Sequence, residues 1–377
     1  MKITCKQQDL SRGLSVVSHA VSSRSTLPIL VNILLATDQG RLRLSATNLE
    51  IGINCWIEAE IQEEGSTTVP AKLFSDLVGS LPQATIDITV ADETHTVNVK
   101  SMRTTSNIKG MDPSEFPEIP SAEGSETPVI LETAQFKRMI AEVAIAADAE
   151  NSRHVFQSIL VSVNNEQMTL AAADSFRLAV RVAPLPGHTT NHEDILIPAR
   201  TLTELARILP NEGSVQMVVT PNSSQVLFHT EQIDLVSRLI EATYPPFRNV
   251  IPKEYTTRAV LDTKEFAAAV RSVMPFARDS SNITRVKIVG GSGVEPGALT
   301  LEATAEDVGD NVCTINAAVD GGEQEMIFNA RYLADVLAVL DTPEVALEIT
   351  SNTRPGVVKP VGDEDYTYII MPMSSNR

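Results

Sequence analysis

Three basic residues stand at matching places in three matching segments. They are Lys72 in Pro70-Ala71-Lys72-Leu73-Phe74, Arg200 in Pro198-Ala199-Arg200-Thr201-Leu202, and Arg331 in Asn329-Ala330-Arg331-Tyr332-Leu333. A cation repeated at the head of an apolar, helix-spaced segment is suited to phosphate contact, and such contact carries no base information. Other side chains able to do chemistry are scattered. Cys5, Cys55 and Cys313 form no CxxC pair and read as reduced, largely buried thiols. The six histidines are dispersed, and His188 and His192 flank Thr189-Thr190-Asn191 in a surface turn rather than a metal site. Asp363-Glu364-Asp365 reads as a solvated turn, and no Ser-His-Asp or Cys-His arrangement is evident. Gly290-Gly291-Ser292-Gly293 lies between two β-runs and reads as a hairpin turn, not a phosphate loop.

The three segments recur at intervals of 128 and 131 residues, and a second marker moves with them. Leu44-Ser45-Ala46-Thr47-Asn48 returns as Leu170-Ala171-Ala172-Ala173-Asp174 and as Leu301-Glu302-Ala303-Thr304-Ala305, at intervals of 126 and 131. Leu10, Phe136 and Phe266 form a third series, each early in an amphipathic stretch. This period exceeds that of solenoid units and implies three similar whole domains. Asp174 thus falls where Asn48 and Ala305 stand, which marks it as a repeated structural position. At 377 residues, with 43% hydrophobic and 21% charged content, the chain has the composition of a soluble globular protein. Its N-terminus is strand-like and lacks an apolar signal region, and no apolar run nears the roughly 20 residues of a membrane span. The expected location is the cytoplasm, with no membrane partner.

Each third repeats one plan. A strand runs into an amphipathic helix, over Gln7–Ala20, Thr133–Ala147 and Thr263–Phe276, with Thr133 and Thr263 (or Asp262) as candidate N-caps. Short β-runs follow: Ile33–Ala36 and Leu42–Ala46, Ile159–Val163 and Met168–Ala172, Val286–Val289 and Leu299–Ala303. The second helix is the segment that bears the repeated cation, over 70–81, 198–209 and 329–340. Alternating strands close the third, such as Thr85–Val90 with Thr94–Lys100 and Ser214–Thr220 with Gln225–Thr230. Consecutive strands joined by short turns predict antiparallel sheets with two helices on one face, an α+β domain. Proline-rich connectors separate the thirds: Met111–Thr127, with Pro113, Pro117 and Pro120, and Tyr244-Pro245-Pro246-Phe247-Arg248-Asn249-Val250-Ile251-Pro252. The expected domains are 1–121, 129–252 and 253–377.

Net charge is −18, which taken alone argues against a nucleic-acid partner. The distribution argues the other way. Counted over 7–24, 70–81, 133–147, 198–209, 263–278 and 329–340, the helical windows hold eleven basic and six acidic residues, so the rest of the chain carries −23. Solvated helix faces explain a surplus of five as well as a basic surface does. The cation repeated at one position of every second helix favours the basic surface.

Thr26-Leu27-Pro28-Ile29-Leu30, Ala173-Asp174-Ser175-Phe176-Arg177-Leu178-Ala179, the Tyr-Pro-Pro-Phe-Arg-Asn-Val-Ile-Pro connector and the terminal Met371-Pro372-Met373 together resemble one family, the β subunits of bacterial DNA polymerase III, or sliding clamps. The resemblance runs the whole chain in order. It implies a head-to-tail homodimeric ring to which each chain contributes half, with helices lining the hole and sheets forming the wall. Such a ring encircles duplex DNA without sequence preference and confers processivity, with no catalysis and no cofactor or metal. By matched position it implies DNA contacts at Arg24, Lys72, Arg138, Arg153, His154 and Arg200. Family members often carry aromatic residues around His154 and Val155, which this chain lacks. The resemblance also implies a groove for peptide tails of the replicative polymerase, clamp-loader subunits and other replication and repair proteins. Its matched positions are Phe156, Ala173, Phe176, Arg177, Leu178, Pro245, Asn249, Val250, Ile369, Met371, Pro372 and Met373. An apolar groove with a Met-rich rim suits Leu and Phe anchors, although strand-end core packing would also account for Met371 and Met373. Ser175-Phe176 replaces the usual Gly-His, and Ser374 replaces a basic residue, which shifts the groove toward apolar peptides. Ile108 and Phe276 fall where the family buries apolar side chains between subunits, a place that intradomain core would equally explain. The alternative class is a metal-dependent nucleic-acid hydrolase using scattered carboxylates.

Overall fold

Backbone N–H and C=O groups must be paired wherever water is excluded, and the described residues meet that demand chiefly with antiparallel ladders, supplemented by helices. A computed structural model describes residues 1–22, 27–91, 94–121, 128–148, 150, 152–164, 166–185, 192–292, 294–307 and 309–373. Among these residues are six α-helices: α1 (Gln7–Ser18), α2 (Ala71–Ser80), α3 (Thr133–Ala144), α4 (Ala199–Ile208), α5 (Thr263–Ala277) and α6 (Ala330–Val339). Two helices thus fall in each third, as the repeat predicts. The first helix of each third enters in the same way. Its leading N–H donates to a distant carbonyl: Gln7 to Ala84 at 3.0 Å, Thr133 to Gly213 at 3.0 Å, and Thr263 to Pro343 at 2.9 Å.

Of the expected helix caps, Asp262 holds at α5, whereas Thr133 does not cap α3. Thr133 and Thr263 are the first residues inside their helices, and both hydroxyls are buried without a partner. Asp262 caps α5, accepting from the N–H groups of Lys264 and Glu265 at 2.9 Å each. Glu132 does the corresponding work for α3, accepting from Ala134 N–H at 3.1 Å. A carboxylate at the cap also meets the positive end of the helix dipole.

The chain divides into two compact units, Met1–Ala134 with Glu204–Leu239 and Gln135–Thr203 with Ile240–Arg377. The first unit holds a five-stranded and an eight-stranded sheet. Strand Thr85–Ala91 alternates strictly, with Ile86, Ile88 and Val90 buried and the residues between them exposed. That period of two is what a sheet with one covered face requires. Helix α1 buries Leu10, Leu14 and Val17 against the eight-stranded sheet, and Gly13 sets how closely it can approach. A Cβ there would meet Leu44 Cδ1 at 2.6 Å and Ile57 Cγ2 at 2.9 Å.

The second unit is built on one twelve-stranded sheet. Across it, Arg177–Pro184 pairs with Tyr366–Ile370, so a strand of the middle third is hydrogen-bonded to the strand that closes the final third. The same join occurs in the first unit, where Ile51–Ile57 pairs with Ile233–Arg238. The sheets are therefore continuous between thirds rather than closed within each. The fold is α+β, with antiparallel sheets and two helices in each third, as the sequence predicts.

The cysteines test this packing. Burial pushes the Cys5 thiol up to about 12, with Asp9 and Asp87 adding to the shift, and pushes Cys55 up to about 11 against the opposing pull of Arg12. Cys313 is only half-buried. Thiolate is the reactive form, so iodoacetamide at pH 8 should modify Cys313 in the native protein and reach Cys5 and Cys55 only after denaturation. Peptide mapping of all three thiols under native conditions checks this; equal native labelling would contradict the packing.

Candidate functional site

Two sets of residues fit the expectations drawn from the sequence, one cationic and one apolar. Lys72, Arg200 and Arg331 are each the second residue of their helix, and each is exposed. The preceding residue is Ala in all three, buried at Ala71 and Ala330, so the next side chain turns outward. Asn329 fixes the start of α6 by accepting from Arg331 N–H at 2.9 Å. Pro70 and Pro198 hold the equivalent place before α2 and α4. Among the described residues none of the three cations makes an ion pair.

The other expected DNA contacts differ from these. Arg24 lies outside the described residues. Arg138 donates to Glu142 Oε1 at 2.8 Å and to Asp363 Oδ2 at 3.3 Å. Arg181 completes the cluster, 3.3 Å from Glu142 Oε2 and 2.6 Å from Asp363 Oδ2. Burial raises the Glu142 carboxyl above its usual range, whereas Arg181 holds Asp363 below it against the effect of burial. The charge of Arg138 is thus already engaged. Arg153 is exposed, stacks 4.3 Å over the Phe156 ring and donates to Ser175 Oγ at 3.4 Å. His154 is exposed beside it, in the short helix His154–Gln157.

The apolar site lies wholly within the second unit. Its floor is a cluster of Leu160, Leu178, Leu196, Phe247, Val357 and Ile369, with Ala173, Tyr244 and Ile251 packed against it. Leu178 and Ile369 are direct partners in the antiparallel ladder, which places these two expected residues side by side. Beyond the ladder, Met371 N–H donates to Phe176 carbonyl and Met373 N–H to the Ile327 carbonyl of strand Gln324–Asn329, each at 2.8 Å. Met371, Pro372 and Met373 are consequently half-buried, held by backbone rather than lost in core. Phe176 is 54% exposed and Val250 is 47% exposed, while Pro245 and Asn249 are also exposed. Phe156 is buried beneath Arg153.

A pocket of about 410 Å³ opens here, lined by Leu160, Leu196, Tyr244, Pro245, Phe247 and Arg248 among others. Of these, the sequence points only to Pro245 as a site residue. Leu160 and Leu196 sit in runs of consecutively buried strand residues, a pattern that does not distinguish a groove floor from ordinary core. Tyr244, Phe247 and Arg248 read in the sequence only as parts of a connector. Yet the rings of Tyr244 and Phe247 meet edge to face at 6.1 Å and wall the pocket. Ser374 lies outside the described residues. A larger cleft of about 1310 Å³ in the first unit is lined largely by Gln, Ser and His side chains of α1 and of residues 207–233. His19 there lies 2.6 Å from Glu204. Among the described residues no three His, Cys, Asp or Glu side chains are grouped to hold a metal ion, and no helix is long and apolar enough to cross a membrane.

Ile108 and Phe276, expected between subunits, occupy different settings. Ile108 is buried in Thr104–Lys109, an edge strand of the five-stranded sheet, and Phe276 is half-buried near the end of α5.

Three family models match in chain order: the DNA polymerase III beta subunit N-terminal domain over 1–120, its central domain over 130–246 and its C-terminal domain over 248–374. A beta sliding clamp of Synechocystis sp. is 30% identical over 393 residues, covering 99% of both chains. One from Bacillus subtilis is 29% identical over 383 residues with the same coverage. Among solved structures, the DNA polymerase sliding clamp from Bacillus subtilis superposes with a TM-score of 0.92 at 28% identity, over 100% of this chain and 99% of that one.

Phe247 supports the pocket from below at 7% exposure. Phe247→Ala should therefore destabilise the protein by about 3 kcal/mol or more, whereas Val250→Ala at the exposed rim should change stability by less than about 0.5 kcal/mol. Denaturant midpoints of the two variants check the contrast.

Proposed function

The chain belongs to the DNA polymerase III beta subunit family, and we propose that it acts as a processivity factor. Two copies close head to tail into a ring around duplex DNA, slide along it without reading sequence, and tether the replicative polymerase. The observation that carries this reading is the succession of three family domains in chain order, at 1–120, 130–246 and 248–374. The boundaries adopted for the three domains are 1–121, 129–252 and 253–377.

Charge supports the same reading. A ring is held on DNA by topology, so its contacts need to be only weak and sequence-blind. Lys72 and Arg200 are exposed cations that make no ion pair among the described residues, and Arg24, Arg153 and His154 are proposed beside them. Arg331 shares their helix position. Arg138 contributes less, because Glu142 and Asp363 already neutralise it. The acidic remainder of a chain at −18 would repel DNA from every other surface. Edge strand Thr104–Lys109 offers an unpaired ladder to a second copy, with Ile108 and Phe276 proposed at that contact.

The groove is assigned to peptide tails of the polymerase, the clamp loader and other replication and repair proteins. Phe156, Ala173, Phe176, Leu178, Pro245, Asn249, Val250, Ile369, Met371, Pro372 and Met373 line or border it, with Arg177 placed behind it. An open apolar floor with a Met-rich rim fits Leu and Phe anchors and tolerates several partners. The protein is an accessory factor, without cofactor or reaction of its own, and works on DNA in the cytoplasm.

Loading onto a primed circle tests the reading. The wild-type protein should stay on closed circles, leave when the circle is cut to linear form, and lengthen polymerase runs. Lys72→Glu with Arg200→Glu should shorten residence and flatten its salt dependence, since each lost phosphate contact removes about 0.9 from the logarithmic salt slope. Equal retention on linear and circular DNA would overturn the ring. Metal-dependent cleavage without any effect on run length would favour the hydrolase instead.

A further inference from the structure

Arg177 borders the groove but does not present its charge to it. Its side chain is only 12% exposed. Nε donates to Asp174 Oδ2 at 3.0 Å, and Nη1 donates to Asp335 Oδ2 at 2.5 Å. The guanidinium plane lies 4.3 Å from the Tyr332 ring centre. Tyr332 and Asp335 are three residues apart in α6, so they share one helix face and grip the guanidinium from two sides. Tyr368, in the neighbouring strand, donates its hydroxyl to the Tyr332 carbonyl at 3.1 Å and closes the arrangement.

The other end of Arg177 is equally tied. Asp174 Oδ1 accepts the N–H groups of Phe176 and Arg177 at 2.6 and 2.9 Å, a side-chain turn that aims Phe176 outward. Leu178, the next residue, enters the ladder beside Ile369. One buried guanidinium therefore links α6 to the turn that supplies one wall of the groove. A planar, fixed-fork cation suits this task, because its orientation is set by every partner it holds.

We propose that Asp335 is a positioning residue for the groove: through Arg177 it holds the 174–178 turn in place, so that peptide affinity is set partly from α6. The inference rests on the reading of the groove as a peptide site. Removing Asp335 leaves the Asp174 turn bonds intact but frees the guanidinium to leave the Tyr332 face. The turn then loosens without unfolding, and the bound peptide loses a preformed wall.

A double-mutant cycle tests this with a fluorescent synthetic peptide bearing adjacent Leu and Phe, titrated against the full chain. Asp335→Ala should weaken binding about tenfold, and Asp335→Glu should restore part of the loss. Arg177→Ala should weaken binding similarly, and adding Asp335→Ala to it should weaken binding no further. Thermal midpoints and circle retention of each variant confirm folding, with Asp335→Asn as the shape-conserving substitute if the alanine variant unfolds. Additive effects of the two substitutions, or unchanged affinity in both Asp335→Ala and Asp335→Asn, would overturn the inference alone. A wild-type chain that is retained on circles but does not bind the peptide would overturn the groove reading and this inference with it.

Discussion

Strand edges pair between successive thirds of the chain, and the groove, the sheets and the placement of the helices all follow from that pairing. A strand with a free edge leaves a row of N–H and C=O groups without partners, and such an edge recruits whatever strand comes near. Here Ile51–Ile57 takes Ile233–Arg238, and Arg177–Pro184 takes Tyr366–Ile370. The second join has a consequence beyond stability. It sets Leu178 against Ile369 and brings Met371-Pro372-Met373 up to the Phe176 turn. The groove is thus a product of the ladder that joins two thirds of the chain, and neither third holds it alone.

The equivalent join in the first unit shows how much side-chain choice then matters. Asn48 repeats the Asp174 turn, its Oδ1 accepting from Glu50 and Ile51 at 2.9 and 2.8 Å. In the residue frame of that turn, Gly52 stands where Leu178 stands. The space a larger side chain would need is taken by Ile119 of the connector, whose Cγ2 would lie 2.9 Å from a Cβ at Gly52. The same backbone plan thereby gives an open apolar floor in one place and a filled one in the other.

Charges divide along a similar line. Arg138, Arg177 and Arg181 hold the second unit together, each within 3.3 Å of a carboxylate. Such pairs contribute little net stability, but losing one partner leaves a buried charge, so they fix geometry more than they add energy. Lys72, Arg200 and Arg331 make no such ion pair among the described residues and remain available to a ligand. An acid recurs at one place in every second helix, as Asp76, Glu204 and Asp335. Glu204 reaches His19 and Asp335 reaches Arg177, so the repeated acid grips a base of the preceding third in both cases.

The two helices of each third, their order, the antiparallel character of the sheets and the repeated cation are all legible in the amino-acid sequence. They follow from local periodicity and from laying one third beside another. The connectors are legible too, through their prolines. Thr133 resembles an N-cap in the sequence because a buried hydroxyl and a capping one look alike until the backbone is in place; the Glu132 carboxylate takes the helix N–H group instead, and of the two candidates at α5 it is Asp262 that caps. Folding in three dimensions alone settles which apolar residues line a groove rather than a core, as Leu160, Leu196 and Phe247 do, and which arginines are already engaged. Both depend on partners far away in the chain, such as Asp363 for Arg138 and Asp335 for Arg177. Distance along the chain carries no trace of such contacts; the ladders that join the thirds create them.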